Sequence, residues 1–132
     1  MRQVSKFFAP VLLSGLLFFF MSCDSLGEPD LADAAAQINS GCPRMVDSET
    51  RLDAVTANGD QLNYHFSLVN VEAARVDTQM FRKAMRPGLL SLLRVSPEME
   101  KLRRDEVTVR YFYTDKNNKH IIAFVFGPED YK

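Results

Sequence analysis

Asn58-Gly59-Asp60-Gln61-Leu62-Asn63-Tyr64-His65-Phe66-Ser67-Leu68 is the stretch that decides the fold. Leu62, Tyr64, Phe66 and Leu68 alternate with Asn63, His65 and Ser67. That period of two marks a strand with one face in a core and the other outside. Asn58 and Gly59 tolerate positive φ, so they predict a tight hairpin turn, with residues 52–57 as the outgoing strand. A second hairpin is written further on. Val107, Val109, Tyr111 and Tyr113 alternate along residues 107–114, and a polar turn fills residues 115–119. Residues 120–126 return as a strand, which Gly127-Pro128 ends. In that last strand both sets of alternate residues are apolar, which predicts burial on both faces or an outer face used for interaction.

Helices flank the hairpins. Asp30 can cap a helix whose apolar positions are Leu31, Ala34, Ala35 and Ile38, with Gly41 as its stop. Asp77 can cap a second one, with Met80, Phe81, Ala84 and Met85 buried and Arg82, Lys83 and Arg86 facing water. Pro87-Gly88 should kink or break it, because proline lacks the donor and crowds the preceding turn. Leu89, Leu90, Leu92 and Leu93 resume the apolar face, and Ser96-Pro97-Glu98 opens another helical turn. The order is α-β-β-α-β-β. The expected class is α+β, two-layered, with about four antiparallel strands and the helices on one face. Leu62, Tyr64, Phe66, Leu68, Phe81, Met85, Leu89, Leu93, Val109 and Tyr111 are the expected core.

The N-terminus carries an address. Arg2 and Lys6 precede an uncharged apolar run over residues 7–21, and Ser22-Cys23 follows. A basic start, an apolar middle and a small residue before the break are the parts of a secretory signal. The run is shorter than the roughly 20 apolar residues of a membrane span, and Pro10 and Gly15 interrupt it. Phe20-Met21-Ser22-Cys23 resembles the lipobox of bacterial lipoproteins, although Phe20 and Met21 depart from its usual residues. The resemblance implies that Cys23 takes a diacylglyceryl group and that the signal before it is removed. Asp24 resembles the inner-membrane retention signal of enteric lipoproteins, a rule not general to bacteria, so both membranes stay open. The expected organisation is a lipoprotein-type signal peptide over residues 1–22, a lipid anchor and tether over 23–29, and one globular domain over 30–132.

Charge and cysteine content narrow the function classes. Without Arg2 and Lys6 the chain holds 14 basic and 17 acidic residues, a net charge of −3. That balance argues against general nucleic-acid binding, which needs a basic footprint. The charge is unevenly spread. Residues 24–60 carry eight acidic residues against two basic, and residues 75–104 carry eight basic against three acidic. Arg82, Lys83, Arg86 and Arg94 are therefore candidate contacts for an acidic partner or anionic lipid, against the plainer reading of a solvated helix face. With Cys23 lipidated, Cys42 has no partner for an internal disulfide; unlipidated, a Cys23–Cys42 bridge is possible. No Cys-x-x-Cys pair suggests a thiol oxidoreductase.

Cys42 sits just past a helix C-terminus, where the negative end of the dipole disfavours thiolate, so a small buried apolar residue is the expected role. His65 and His120 lie on different hairpins without metal-ligand spacing, and no metal or cofactor is expected. Asp47, Thr50, Arg51 and Asp53 form the densest polar cluster, which local hydrogen bonds at the entry to the first strand would explain.

Cys42-Pro43-Arg44-Met45-Val46-Asp47, followed by Thr50-Arg51-Leu52-Asp53-Ala54-Val55, resembles a group of small secreted or lipid-anchored bacterial proteins. Those proteins pair a Cys-Pro-x-x-Val-Asp stretch with Thr-x-Leu-Asp-x-Val and a tyrosine-bearing strand, here Tyr64. The resemblance implies an α+β envelope domain and brings no activity. The functional expectation is a non-enzymatic, lipid-anchored cell-envelope protein on the periplasmic side. It would act as a binding, accessory or inhibitor-like module with a possible envelope protein as partner. The alternative is a small periplasmic enzyme using Cys42 or a carboxylate cluster.

Overall fold

The computed structural model describes residues 30–132. The expected signal, lipid anchor and tether, Cys23 included, lie outside the described residues. Among these residues no helix is long and apolar enough to cross a membrane.

The elements run α1 (Leu31–Asn39), β1 (Arg44–Met45), β2 (Thr50–Asn58), β3 (Gln61–Leu68), α2 (Thr78–Val95), α3 (Glu100–Arg104), β4 (Thr108–Thr114), β5 (His120–Phe126) and α4 (Pro128–Tyr131). The strands form one five-stranded sheet in chain order. The expected α+β class holds, but the expectation of about four antiparallel strands needs two corrections. A two-residue strand, β1, is added at the edge, and β3 pairs with β4 in parallel. The reason for the second is the connection. Parallel neighbours need a crossover of a dozen residues or more, and α2 supplies it.

The hairpin between β2 and β3 turns on Gly59-Asp60, with Asn58 opposite Gln61 as the closing pair. Only Gly59 takes positive φ there (62°), the arrangement of a two-residue turn with glycine first. Phe66 pairs with Leu52 on one side and Tyr113 on the other; Tyr64 pairs with Val55 and Tyr111. Tyr111 and Tyr113 in turn face Phe124 and Ile122. These residues share the inner face, where Ala35, Leu93, Met99, Leu102 and Tyr131 join them in one core. A bulge between Leu52 and Ala54 is what lets both Leu52 and Val55 point inward and turns Asp53 out.

Of the expected core, Leu62, Leu68, Leu93, Val109 and Tyr111 are buried. Tyr64, Phe66, Phe81, Met85 and Leu89 are only half-buried and pack against the core. The fully covered aromatics are instead Phe124 and Phe126, at 0% exposure each. Asp77 caps α2 as expected, accepting from the backbone N–H groups of Gln79 and Met80 at 3.1 Å each. The expected break at Pro87-Gly88 does not end the helix, which continues to Val95. Both residues are exposed, so the freed carbonyl can meet water, while Phe81, Met85, Leu89 and Leu93 hold the inner face on both sides. Pro128 starts an unanticipated last helix, whose buried Tyr131 donates its hydroxyl to the Val107 carbonyl at 2.7 Å.

β1 covers β2 only at Arg51 and Leu52. Further along, the Asn39 side chain takes its place. Its amide donates to the Val55 carbonyl at 2.5 Å and its carbonyl accepts from the Val55 N–H at 2.6 Å. One side chain thus imitates a strand and closes that edge. Asn39→Ala should cost about 1–3 kcal/mol, since it strands both backbone groups. Asn39→Asp, which keeps only the acceptor, should fall between it and the native chain in chemical denaturation. Phe124→Ala should cost about 3–5 kcal/mol, and Phe66→Ala clearly less, because Phe66 is already partly wet. Equal losses in denaturation midpoints would contradict that order.

Candidate functional site

The sheet's second face is where polar chemistry collects. Tracing β3 across the sheet, His65 pairs with Ala54 and Phe112, and Ser67 with Arg51 and Thr114. The His65 ring stacks on Phe112 with centroids 5.2 Å apart and planes within 9°. Its Nε2 lies 3.2 Å from Thr56 Oγ1. Beside this pair, Asp53 accepts from Arg51 Nε at 2.5 Å and from the Ser67 hydroxyl. Ser67 is 2% exposed, and its oxygen lies 3.1 Å from Thr114 Oγ1. Half-buried Phe112 and exposed Thr56 and Val125 leave the surface open to solvent around that network.

Serine, histidine and aspartate side chains meet here, yet the arrangement does not prepare a nucleophile. The Ser67 hydroxyl gives its proton to a carboxylate rather than to the imidazole. The chemistry the face can offer is a stacking platform, His65 on Phe112, beside a fixed carboxylate–guanidinium pair.

The other sequence candidates are scattered. Cys42 is a half-buried thiol that donates to the Ile38 carbonyl at 3.4 Å, at the end of α1 where the expectation put it. Asp47 accepts from the backbone of Glu49 and Thr50 at 2.8 Å each, which fixes the entry to β2. Those bonds, with Glu49 first, hold its carboxyl below the ordinary range. The polar cluster of the sequence is thus largely local scaffolding. Among the described residues no group of three or more His, Cys, Asp and Glu could hold a metal ion.

Arg82, Lys83 and Arg94 are exposed, as the helix pattern predicts, and Arg86 is half-buried. Arg86 lies over the Phe126 ring, 4.8 Å from its centroid, with Asp130 Oδ1 at 3.7 Å. Arg82 lies 5.7 Å over Phe124, and Arg94 donates to the Asp130 carbonyl at 2.7 Å. The guanidinium groups settle on aromatic faces because α2 crosses the last strand, a contact that the helix period alone does not reveal. Lys83 remains exposed.

A cleft of about 390 Å³ opens between the turn before β2 and the first half of α2, lined by Asp47, Thr50, Leu68, Val76, Phe81 and Met85 among others. Sequence reasoning missed it, since its apolar lining comes from residues read as core. It also missed Asp115, 3% exposed, which accepts from the backbone N–H groups of Ala73, Asn117 and Lys119 at 2.8–2.9 Å. That carboxylate pins the segment before α2 to the β4–β5 turn.

Residues 26–123 match the family model described as a domain of unknown function, DUF8479. The chain belongs to that family. No curated protein matches it. Three solved structures share its fold. A Pseudomonas aeruginosa protein described as secreted aligns with a TM-score of 0.65 at 20% identity, over 76% of this chain and 88% of that one. The pilotin of the Vibrio vulnificus type 2 secretion system aligns at 0.58 and 10% identity, over 76% and 87%. The type II secretion pilotin of Vibrio cholerae aligns at 0.55 and 11%, over 75% and 86%.

Burial pushes the His65 imidazole below its ordinary value of 6.5, with Asp53 pulling the other way. The unfolded chain therefore binds the extra proton first, and this contribution is full above pH 6.5 and declines as pH falls below it. Asp47, Asp105 and Asp115 are held below 3.8, so their contributions are lost only under more acid conditions. Melting temperature against pH should thus decline in two limbs. His65→Gln should flatten the limb just below 6.5 and leave the acid limb in place; an unchanged first limb would remove His65 as its source.

Proposed function

We propose that this domain is a lipid-anchored accessory protein of the bacterial cell envelope that acts by binding another envelope protein. The observation that carries the reading is the fold, shared over most of the chain with two pilotins of type II secretion systems. The Phe20-Met21-Ser22-Cys23 tetrad and the apolar run before it support delivery to the envelope and attachment through Cys23. Two acyl chains or more, at about 0.8 kcal/mol per buried CH₂, hold a domain of this size stably at a membrane.

The side chains an enzyme would use support binding instead. The Cys42 thiol is turned back onto its own helix end, and Asp47 and Asp53 are engaged by neighbouring N–H and O–H groups. The open sheet face and the cleft beside α2 offer surface to a partner.

Cys23→Ser should abolish palmitate labelling and shift the protein out of the membrane fraction or stall its precursor. Labelling that persists in the variant would end the anchored reading. In-cell crosslinking should recover one discrete envelope protein with the native chain. A turnover lost on Cys42→Ser would favour the enzyme instead.

A further inference from the structure

The two edges of the sheet are treated differently. The β2 edge is closed by the two-residue β1 and by the Asn39 amide. The opposite edge is β5, His-Ile-Ile-Ala-Phe-Val-Phe, which pairs with β4 alone. Its seven residues include no lysine, carboxylate or proline, three devices that keep a strand edge from recruiting another chain, and a bulge at Ile121 leaves residues 122–126 as its regular edge. No backbone hydrogen bond from another described element reaches its outer side.

Two guanidinium groups lie over the inner-face rings of that strand. Tyr113 and Tyr111 meet the Phe124 and Phe126 rings edge-on from the β4 side, and Arg82 and Arg86 cover the same rings, at 5.7 and 4.8 Å. The spacing is matched. Residues one helical turn apart are separated by about 6 Å, and alternate residues of a strand by about 6.8 Å. We infer that the β5 edge takes up an extended acidic segment of a partner protein as a sixth strand, with carboxylates two residues apart on Arg82 and Arg86. Arg82 is exposed, and the Arg86–Asp130 contact, at 3.7 Å, is longer than a hydrogen bond.

Charge selects this occupant over a second copy of the chain. Pairing two β5 strands about a two-fold axis would bring Arg82 and Arg86 of α2 towards the same pair of the other copy, and like charges brought together repel. The inference rests on the domain being a binding module and is independent of how it is anchored.

The test uses the full-length chain in detergent and a fluorescent, amide-capped peptide, Thr-Val-Glu-Val-Glu-Val-Thr. Binding should be saturable, weaken as salt rises, and slow hydrogen exchange at residues 120–126. The same peptide with lysine for glutamate, or N-methylated along one edge, should lose at least about tenfold in affinity. Arg82→Gln should weaken the glutamate peptide by about three- to tenfold. Equal binding of the lysine peptide, protection outside 120–126, or no saturable binding would overturn the inference. So would a dimer that protects 120–126 without peptide. A failure here leaves the Cys23 labelling experiment untouched, so the two readings fall separately.

Discussion

The parallel pairing of β3 with β4 is the constraint on which the rest of the molecule depends. It sets Tyr64 against Tyr111 and Phe66 against Tyr113, with ring centroids 5.2 and 5.1 Å apart. Through β4 it then fixes Phe124 and Phe126 beside those tyrosines. Aromatic pairs in such contact contribute about 0.5–1.5 kcal/mol beyond their burial. Because the array is continuous from β3 to β5, one register error would misplace every ring in it. α2 is both the connection that makes the pairing parallel and the lid over β5, so topology and core are settled by the same 18 residues.

That double duty explains what could be read from the chain in advance. The faces of β3 and β4 follow from alternation, which is local, and the Asp77 cap and the β4–β5 hairpin follow from turn and cap chemistry within a few residues. Strand direction is different. Alternation is the same in parallel and antiparallel strands, so only the long helical connection between residues 68 and 108 carried the information. Pro87 misled for a related reason: its local cost is real, but the apolar side chains before and after it dock on one sheet and keep the axis continuous. Alternation places Tyr64 and Phe66 in the core, yet depth depends on which strands the helices cover, and α2 lies over β5.

The candidate surfaces were less legible than the fold. The Asp47 cluster could be explained at sequence level because its bonds span two and three residues. The Asp53–Ser67–Thr114 network could not, since its members come from three strands and Asp53 faces outward only because of a bulge. Asn39 at a helix end reads as an ordinary polar residue; its role over Val55, sixteen residues away, exists only once β1 has stopped short.

The basic stretch shows how the same residues can be structural and interactive at once. Phe124 and Phe126 are completely covered although they belong to the outermost strand. A bare aromatic edge would invite indiscriminate association. Guanidinium groups laid over the rings exclude water from them while presenting N–H donors outward, which neither leucine nor lysine does as well. An apolar cover would have left an edge attractive to any strand. The arginine cover leaves the backbone edge open and adds a charge requirement to whatever pairs with it, so protection and selectivity arise from the same two side chains.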